Sequence, residues 1–380
     1  MSKVNILLIT DYFLPGYKGG GPIKSVANLS TSLNLSCNVL ILTGDRDLGD
    51  TKKYENIKTG LRCKVGEHNV IYEGAFGFSS MLKHIRNERV NLIWLNSFFS
   101  IYSIKILLLK KINFIDIPVI VSPRGELSQG GLSIKSIKKY LFIYLGKLVG
   151  FYSRIFFHST DQSESISIHK ILGIKSFCIP NLCTSSHSFS FPYKESGRLK
   201  VVFLSRISQK KNLLSAIKIV NLIKSGEVIF DIYGPPEDQI YLEKCILTAE
   251  ESPPNVTINF FGGISSEQVP ITFSKYHVFL LPTLNENYGH AIVEAMLSGM
   301  VPVISNNTPW KDLQCYDAGW DLDLGNLNKF SDALGEVMAY DDDKFREVSS
   351  CVVKYISQRV NNLENISKYK EFISKVTLKD

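Results

Sequence analysis

"HVFLLPTLNENYGHAIVEAMLSGMVPVIS", residues 277–305, decides the fold. It opens on an apolar run, crosses a polar, turn-like stretch and reads as a helix that begins at Gly289. Gly299 stops that helix, and a second apolar run, "VPVIS" (301–305), follows directly. Strand, helix and strand in this order are the repeating unit of a parallel sheet covered on both faces. The same stretch sets two carboxylates on one path: Glu286 in the loop and Glu294 one turn inside the helix.

Outward from this unit the pattern repeats. Upstream lie "KVVFLS" (200–205), "VIFDIYG" (228–234) and "VTINFFG" (256–262). Before them comes an earlier series: "VNILLIT" (4–10), "NVLILT" (38–43), "NLIWLN" (91–96), "PVIVSP" (118–123), "RIFFHS" (154–159) and "FCIPN" (177–181). Helical periodicity separates several of these, as over 22–35 and 161–172. Between the two series, "CTSSHSFSFPYKESGR" (183–198) lacks periodicity and is rich in Ser. The expected fold is α/β: two Rossmann-like, doubly wound parallel-sheet domains facing a cleft. The first covers 1–182, a linker 183–199, the second domain 200–355, and a C-terminal helix, 356–380, packs back on the first domain. Ligands bind at the carboxyl ends of such sheets, where loops and helix N-termini converge.

Length and composition agree with two domains. The chain has 380 residues, 44% hydrophobic and 21% charged, enough to bury two cores. Its formal net charge of +7 reads first as a Lys-rich solvated surface; the functional alternative is attraction to an anionic partner such as a nucleotide, a lipid diphosphate or an acidic membrane surface. Nucleic acid is not an expected partner. Seven scattered cysteines without a C-x-x-C pair argue against a zinc site or a disulfide framework and for a reducing compartment. The N-terminus reads as a first strand, not a signal peptide, and no apolar run reaches the length of a membrane span, so a cytoplasmic protein is expected.

Two features of the second half bear chemistry. Arg206 ends the strand "KVVFLS" and its serine, with Lys210 and Lys211 four and five residues later, before a helical run. Arg offers a planar fork and Lys a point charge, a pairing suited to a diphosphate; a solvated basic loop is the plainer alternative. The backbone N–H groups of Gly289, His290 and Ala291 open a helix and favour an anion. Glu286 beside that anion site makes sense if it accepts from neutral hydroxyls, and Glu294 if it accepts from a ribose diol. Sugar, diphosphate and ribose together describe a nucleotide-sugar. The plainer account makes Glu294 an i,i+4 partner of His290 and Glu286 a solvated loop residue.

"E-N-Y-G-x-x-x-x-E-A", then "G-x-x-P-V-I-S", with "SRISQKKNL" upstream, resembles the family 4 retaining glycosyltransferases of the GT-B fold. Their E-x7-E signature is met by Glu286 and Glu294, and their Arg and Lys by Arg206 and Lys211. "DYFLPGYKGGGPIKSVANL", "SPRGELS" (122–128) and "TPW" (308–310) resemble a bacterial surface-polysaccharide branch, so the likeness spans most of the chain. The resemblance implies that Glu286 contacts the donor sugar, Glu294 the ribose, and Arg206 and Lys211 the departing diphosphate. Gly289, His290 and Ala291 assist, and Gly19, Gly20 and Gly21 form a first-domain loop over the donor phosphates. Arg124 and Gly125 fall where the family places acceptor or donor-sugar contacts; Arg124 reads equally as a buried ion pair supporting a loop. Two departures stand out. Tyr276-His277 replaces a common Ala-Asp pair, and His290 takes a position often apolar.

The implied reaction transfers a sugar from a UDP- or GDP-linked donor to a glycan or lipid-diphosphate-linked acceptor, with retention, in O-antigen, capsule or exopolysaccharide synthesis. Fixed cations and helix amides stabilise the leaving diphosphate, so neither a metal nor any other cofactor is expected. The D-x-D pairs, Asp45/Asp47 and Asp321/Asp323, are read as structural. Lys135, Lys138, Lys139, Lys147 and Arg154 surround "YLFIYLGKLVGFY", and the stretch 132–157 is either a contact with the inner-membrane surface or a core helix with exposed lysines. A nucleotide-sugar epimerase and a catalytically dead nucleotide-sugar binder are the alternatives.

Overall fold

The computed structural model describes residues 3–74, 77–128, 131–132, 136–183, 191–360 and 362–378. The chain forms two units: residues 1–183 with 362–380, and residues 184–361.

The first unit holds an eight-stranded sheet in the order β3-β4-β2-β1-β5-β6-β7-β8. Its strands are β1 (Val4–Ile9), β2 (Cys37–Gly44), β3 (Arg62–Val65), β4 (His68–Glu73), β5 (Leu92–Leu95), β6 (Val119–Val121), β7 (Ile155–Ser159) and β8 (Ser176–Cys178). All pairs are parallel except β3 with β4. Helices α1 (Gly21–Leu33), α2 (Phe78–Asn87), α3 (Ile101–Lys111), α4 (Ser136–Leu148) and α5 (Gln162–Leu172) cover it. Alternate side chains of one strand feed opposite cores. Leu7, Ile9, Leu95 and Val121 pack with Met81 of α2 and Ile106 of α3, while Ile6, Leu8, Trp94 and Ile120 pack with Val26 and Leu29 of α1.

The second unit repeats the plan with six parallel strands in the order β11-β10-β9-β12-β13-β14. These are β9 (Arg198–Leu204), β10 (Glu227–Tyr233), β11 (Val256–Gly262), β12 (Val278–Leu281), β13 (Val301–Ser305) and β14 (Trp320–Leu322). The helices are α6 (Leu213–Asn221), α7 (Gln239–Glu250), α8 (Gln268–Phe273), α9 (His290–Leu297), α10 (Leu327–Ala339) and α11 (Asp342–Arg359). A last helix, α12 (Asn362–Thr377), belongs to the first unit. There Tyr369, Phe372, Ile373 and Val376 complete the core that holds Trp94. The Phe372 ring stacks on Phe177 with centroids 4.2 Å apart.

The expected α/β class with two parallel-sheet domains is what the chain forms. Residues 356–359, grouped above with the C-terminal helix, lie in α11 of the second unit. Residues 184–190 of the expected linker lie outside the described residues. Strands β3, β4 and β14 were not expected. Exposed Arg62 and Lys64 mark β3 as a polar edge strand, and Asp321 interrupts the three residues of β14.

Candidate active site

In each sheet the chain reverses direction of growth at one place, and ligands bind outside the carboxyl ends of the strands there. In the second unit that place lies between β9 and β12, which neighbour each other while β10 and β13 continue outward. Arg206 follows β9, and Glu286 follows β12.

The turn after β9 is built to project its cations. Residues Gln209–Lys211 form one 3-10 turn after Ser208, and Asn212, at φ 59°, turns the chain into α6. That turn is stitched to the loop beyond β12. Leu284 N–H donates to the Lys210 carbonyl at 2.9 Å, Thr283 Oγ1 donates to the same carbonyl at 3.1 Å, and Asn212 Nδ2 donates to the Pro282 carbonyl at 2.9 Å. From the other side Glu286 N–H donates to the Asn307 carbonyl at 2.9 Å, and Trp310 Nε1 donates to the Tyr288 carbonyl at 2.7 Å. The "TPW" motif therefore anchors the loop that carries Glu286.

Lys211 and Glu286 form an ion pair, with side chains 13% and 16% exposed. Arg206 Nη1 pairs with Glu237 Oε1 at 3.1 Å. Lys210 joins the cluster: desolvation lowers its pKa, Glu286 opposes this, and Lys211 and Arg206 add to it. Its side chain is exposed on the whole, so water screens much of this effect. Lys210 and Lys211 thus lie by Glu286 at the switch point, and Arg206, paired with Glu237, adds a third cation to the same cluster.

Gly289 caps α9 in left-handed backbone, φ 75°, and supplies no side-chain cap to the first turn. A Cβ there would lie 3.0 Å from Glu286 Cγ and 2.8 Å from Ile292 Cδ1. Glycine is required both by the backbone and by the approach of Glu286. Gly234, after β10, is tighter: a Cβ would lie 1.7 Å from the Ser205 carbonyl oxygen, next to Arg206. His290 is buried with its ring 4.8 Å from that of Tyr288, so its side chain belongs to the wall of the loop. Ala291 follows it in the first turn, and Glu294 lies half-buried one turn further along α9.

The departure at Tyr276-His277 has a structural answer. Tyr276 Oη donates to Asp231 Oδ2 at 2.6 Å. His277 Nδ1 accepts from Lys200 N–H at 3.0 Å, and Nε2 donates to the Tyr193 carbonyl at 3.1 Å. Together they fasten the start of β12.

In the first unit, Gly19 is buried and a Cβ there would touch Ile23 Cδ1 at 3.0 Å. Gly20 has φ 65° and caps α1, which Gly21 begins. Asp47 Oδ2 fixes the approach to these glycines by accepting from Tyr17 N–H at 2.8 Å and Lys18 N–H at 3.0 Å. Its D-x-D neighbour Asp45 pairs with Arg46 at 2.9 Å and Lys53 at 3.1 Å. Burial would raise the Asp45 pKa, and the two cations outweigh it and hold it low. Asp321 and Asp323 accept from Leu313 N–H and Gly325 N–H at 2.9 and 3.2 Å. Asp47, Asp321 and Asp323 thus hold backbone N–H groups, and Asp45 holds two cations.

Arg124 and Gly125 follow β6. Gly125 N–H donates to Glu164 Oε1 at 2.6 Å, so it serves the fold. Arg124 makes no carboxylate ion pair among the described residues, which corrects the ion-pair reading. It donates instead to the side-chain oxygens of Asn96 and Asn181. Sequence reasoning passed over those two asparagines, although each ends an apolar run, "NLIWLN" and "FCIPN".

On α4 the apolar residues Ile137, Tyr140, Leu141, Tyr144, Leu145 and Leu148 are exposed, between 50% and 83%. Their spacing places them on one helical face. The core-helix reading of this stretch therefore fails for that face, while Phe142 and Ile143 do pack inward. Lys135 lies outside the described residues. No helix among the described residues is long and apolar enough to cross a membrane.

Residues 187–344 match the family described as glycosyl transferases group 1, and that segment supplies every second-unit residue named above from Arg206 to Glu294. An uncharacterized 41.2 kDa protein in the cps region of Klebsiella pneumoniae is 23% identical over 30% of this chain and 29% of its own. The 2-deoxystreptamine N-acetyl-D-glucosaminyltransferase of Niallia circulans is 29% identical over 32% of each chain. The matches thus span about a third of the length of these curated relatives. Among solved structures, Anabaena HepE in complex with UDP and glucose is similar at a TM-score of 0.72, with 16% identity, over 98% of this chain and 100% of that one. At that identity the likeness speaks for the fold, which is the GT-B glycosyltransferase fold.

Proposed function

We propose that this chain, whose residues 187–344 match the family of group 1 glycosyl transferases, moves a sugar from a nucleoside-diphosphate donor to a hydroxyl of a glycan or lipid-linked acceptor. The observation that carries the reading is the convergence of Arg206, Lys210, Lys211 and Glu286 at the β9/β12 switch point. When the glycosidic bond to the donor breaks, negative charge grows on the leaving phosphate oxygen. Arg206 and Lys211 oppose that charge more strongly in the transition state than in the ground state, and each preorganised donor of this kind is worth about 3 kcal/mol.

In the empty site Glu286 neutralises Lys211. Donor binding exchanges that pair for two complementary contacts, with Lys211 turning to the diphosphate and Glu286 accepting from sugar hydroxyls. Glu294, on the helix α9 that follows the Glu286 loop, accepts from the ribose. The first turn of α9, from Gly289 to Ala291, presents backbone N–H groups to the phosphates. These cations perform the neutralisation that a metal performs elsewhere, and reaction on the retained face follows with the leaving phosphate taking the acceptor proton.

The donor base we infer is uracil or guanine; the similarity to a structure holding UDP and glucose favours UDP. The relative from a cps region supports a role in surface-polysaccharide assembly. A lipid-diphosphate acceptor would bring the protein to the cytoplasmic face of a membrane, and the exposed apolar face of α4, flanked by Lys138 and Lys147, suits that surface.

Calorimetric titration of UDP and of GDP in excess EDTA, repeated on Arg206→Ala, tests the reading. One nucleotide is expected to bind without metal and to lose that binding in the variant. Binding of neither, or binding only after Mn²⁺ is added, overturns it.

A further inference from the structure

Arg124 gathers three strand ends of the first unit. Its backbone is left-handed, φ 54°, a conformation that side-chain-bearing residues avoid and that surrounding structure must impose. Nε and Nη2 donate to Asn96 Oδ1, beyond β5, at 3.1 and 2.7 Å. Nη1 donates to Asn181 Oδ1, beyond β8, at 2.5 Å.

A guanidinium carries five N–H donors, and these bonds leave two without a partner among the described residues. Nor does any carboxylate accept from the guanidinium among the described residues. Glu164 is the carboxylate that acts on it, and both Glu164 oxygens are already engaged, by Gly125 N–H at 2.6 Å and by Thr160 N–H and Oγ1 at 2.7 and 2.8 Å. His158 and Tyr369, the other titratable neighbours, are held neutral by burial.

Asn96 supplies a second, independent observation. It is 4% exposed, and its Nδ2 is buried without a hydrogen-bond partner. The orientation of this amide is fixed, because a flip would turn its NH2 group onto the guanidinium. A buried amide donor left unpaired is rare and costly. An internal aspartate at 96 or 181 would fit the same space and neutralise the arginine, so the two asparagines keep the geometry and withhold the charge. One oxyanion answers both deficits, accepting from the remaining guanidinium N–H groups and from Asn96 Nδ2.

We propose that Arg124 and Asn96, with Asn181 as support, form an anion-binding subsite of the first unit that takes a carboxylate or phosphate group of the sugar acceptor. Only the assignment to the acceptor rests on the transferase reading above; the anion site itself stands on the geometry. An acidic sugar would present a carboxylate, and a lipid-diphosphate carrier a phosphate. Either group would set the acceptor by charge, before any hydroxyl is chosen.

The test titrates the full chain, saturated with UDP, with glucuronate, inorganic phosphate and glucose, and repeats this on Asn96→Asp. The new carboxylate supplies the missing counter-charge from within. Any anion binding by the second unit is common to both proteins and drops out of the comparison, so the test reads correctly even where UDP fails to bind. The expected result is an anion affinity about tenfold or more weaker in Asn96→Asp, with glucose weak in both proteins. Thermal midpoint checks folding, and Asn181→Asp serves where Asn96→Asp is unstable. Preference for glucuronate identifies an acidic sugar, and preference for phosphate a carrier diphosphate. Equal anion binding in the wild type and the folded aspartate variants, or glucose binding as well as glucuronate, overturns the proposal.

Discussion

Replacing Lys211 by Met keeps the length of the side chain and removes its charge, which leaves Glu286 only 16% exposed without its ion partner. A contact pair at an effective dielectric near 20 gains roughly 4 kcal/mol before desolvation is subtracted. Breaking one side of a buried pair costs about 3–5 kcal/mol, because the remaining charge stays buried; residual exposure and nearby Lys210 bring the expected loss to about 2 kcal/mol. For a unit of this size that is a fall of roughly 4–8 °C in its thermal transition. Lys211→Met/Glu286→Gln removes both charges, so calorimetry should show it more stable than Lys211→Met alone. Nucleotide affinity should not recover, since the diphosphate still lacks a charge-assisted contact worth about 1.5–3 kcal/mol, roughly 10- to 150-fold in Kd. A double variant no more stable than Lys211→Met would refute the coupling. Unchanged nucleotide affinity in Lys211→Met would reduce Lys211 to a partner of Glu286.

Gly289→Ala should cost about 1–2 kcal/mol for its left-handed backbone and also push Glu286 aside, so both thermal stability and kcat/KM are expected to fall; an active, fully stable variant would refute the close packing. His277, buried, has its pKa pushed down to about 4 by desolvation. The unfolded chain protonates it near pH 6.5 and the folded one does not, so its stability contribution is whole above that pH. It is lost as pH falls toward about 4, a change of roughly 3 kcal/mol that pH-dependent melting should show and His277→Asn should flatten. If the exposed face of α4 meets a membrane as proposed, the wild type should sediment with vesicles containing anionic lipid, and replacing Leu141, Tyr144 and Leu148 by Ser should abolish this with the fold intact; no sedimentation of the wild type, or undiminished sedimentation of the variant, would refute that contact.

Much of this was legible in the sequence because strands buried on both faces leave unbroken apolar runs, as "VNILLIT" and "VFLL" do. β3 and β14 escaped notice since an exposed edge and a three-residue strand carry too little pattern. Glu286 and Lys211 were legible as residues, but their pairing depends on the turn at Asn212 and the Trp310 anchor, contacts far apart in the chain. Arg124 was visible and its partners were not. Asparagine at a strand end signals a turn as readily as a site, and only packing shows that one amide is left unpaired. Likewise the face of α4 cannot be told from a core face by periodicity, because both have the same spacing.

The placement of α12 in the first unit bears on the order in which the chain matures. Cys183 N–H donates to Asn362 Oδ1 at 3.0 Å, so the chain leaves the first unit and re-enters it at nearly the same point. As the polypeptide emerges from the ribosome, the first unit is translated first and completed last. Until residues 362–378 arrive, Trp94, His158 and Phe177 lack the aromatic cover that Tyr369 and Phe372 provide. The second unit, one continuous segment, has all its strands before then and can close on its own. A released chain that ends before residue 362 would therefore hold a complete second unit and an incomplete first one, and a protease should cut its N-terminal half first.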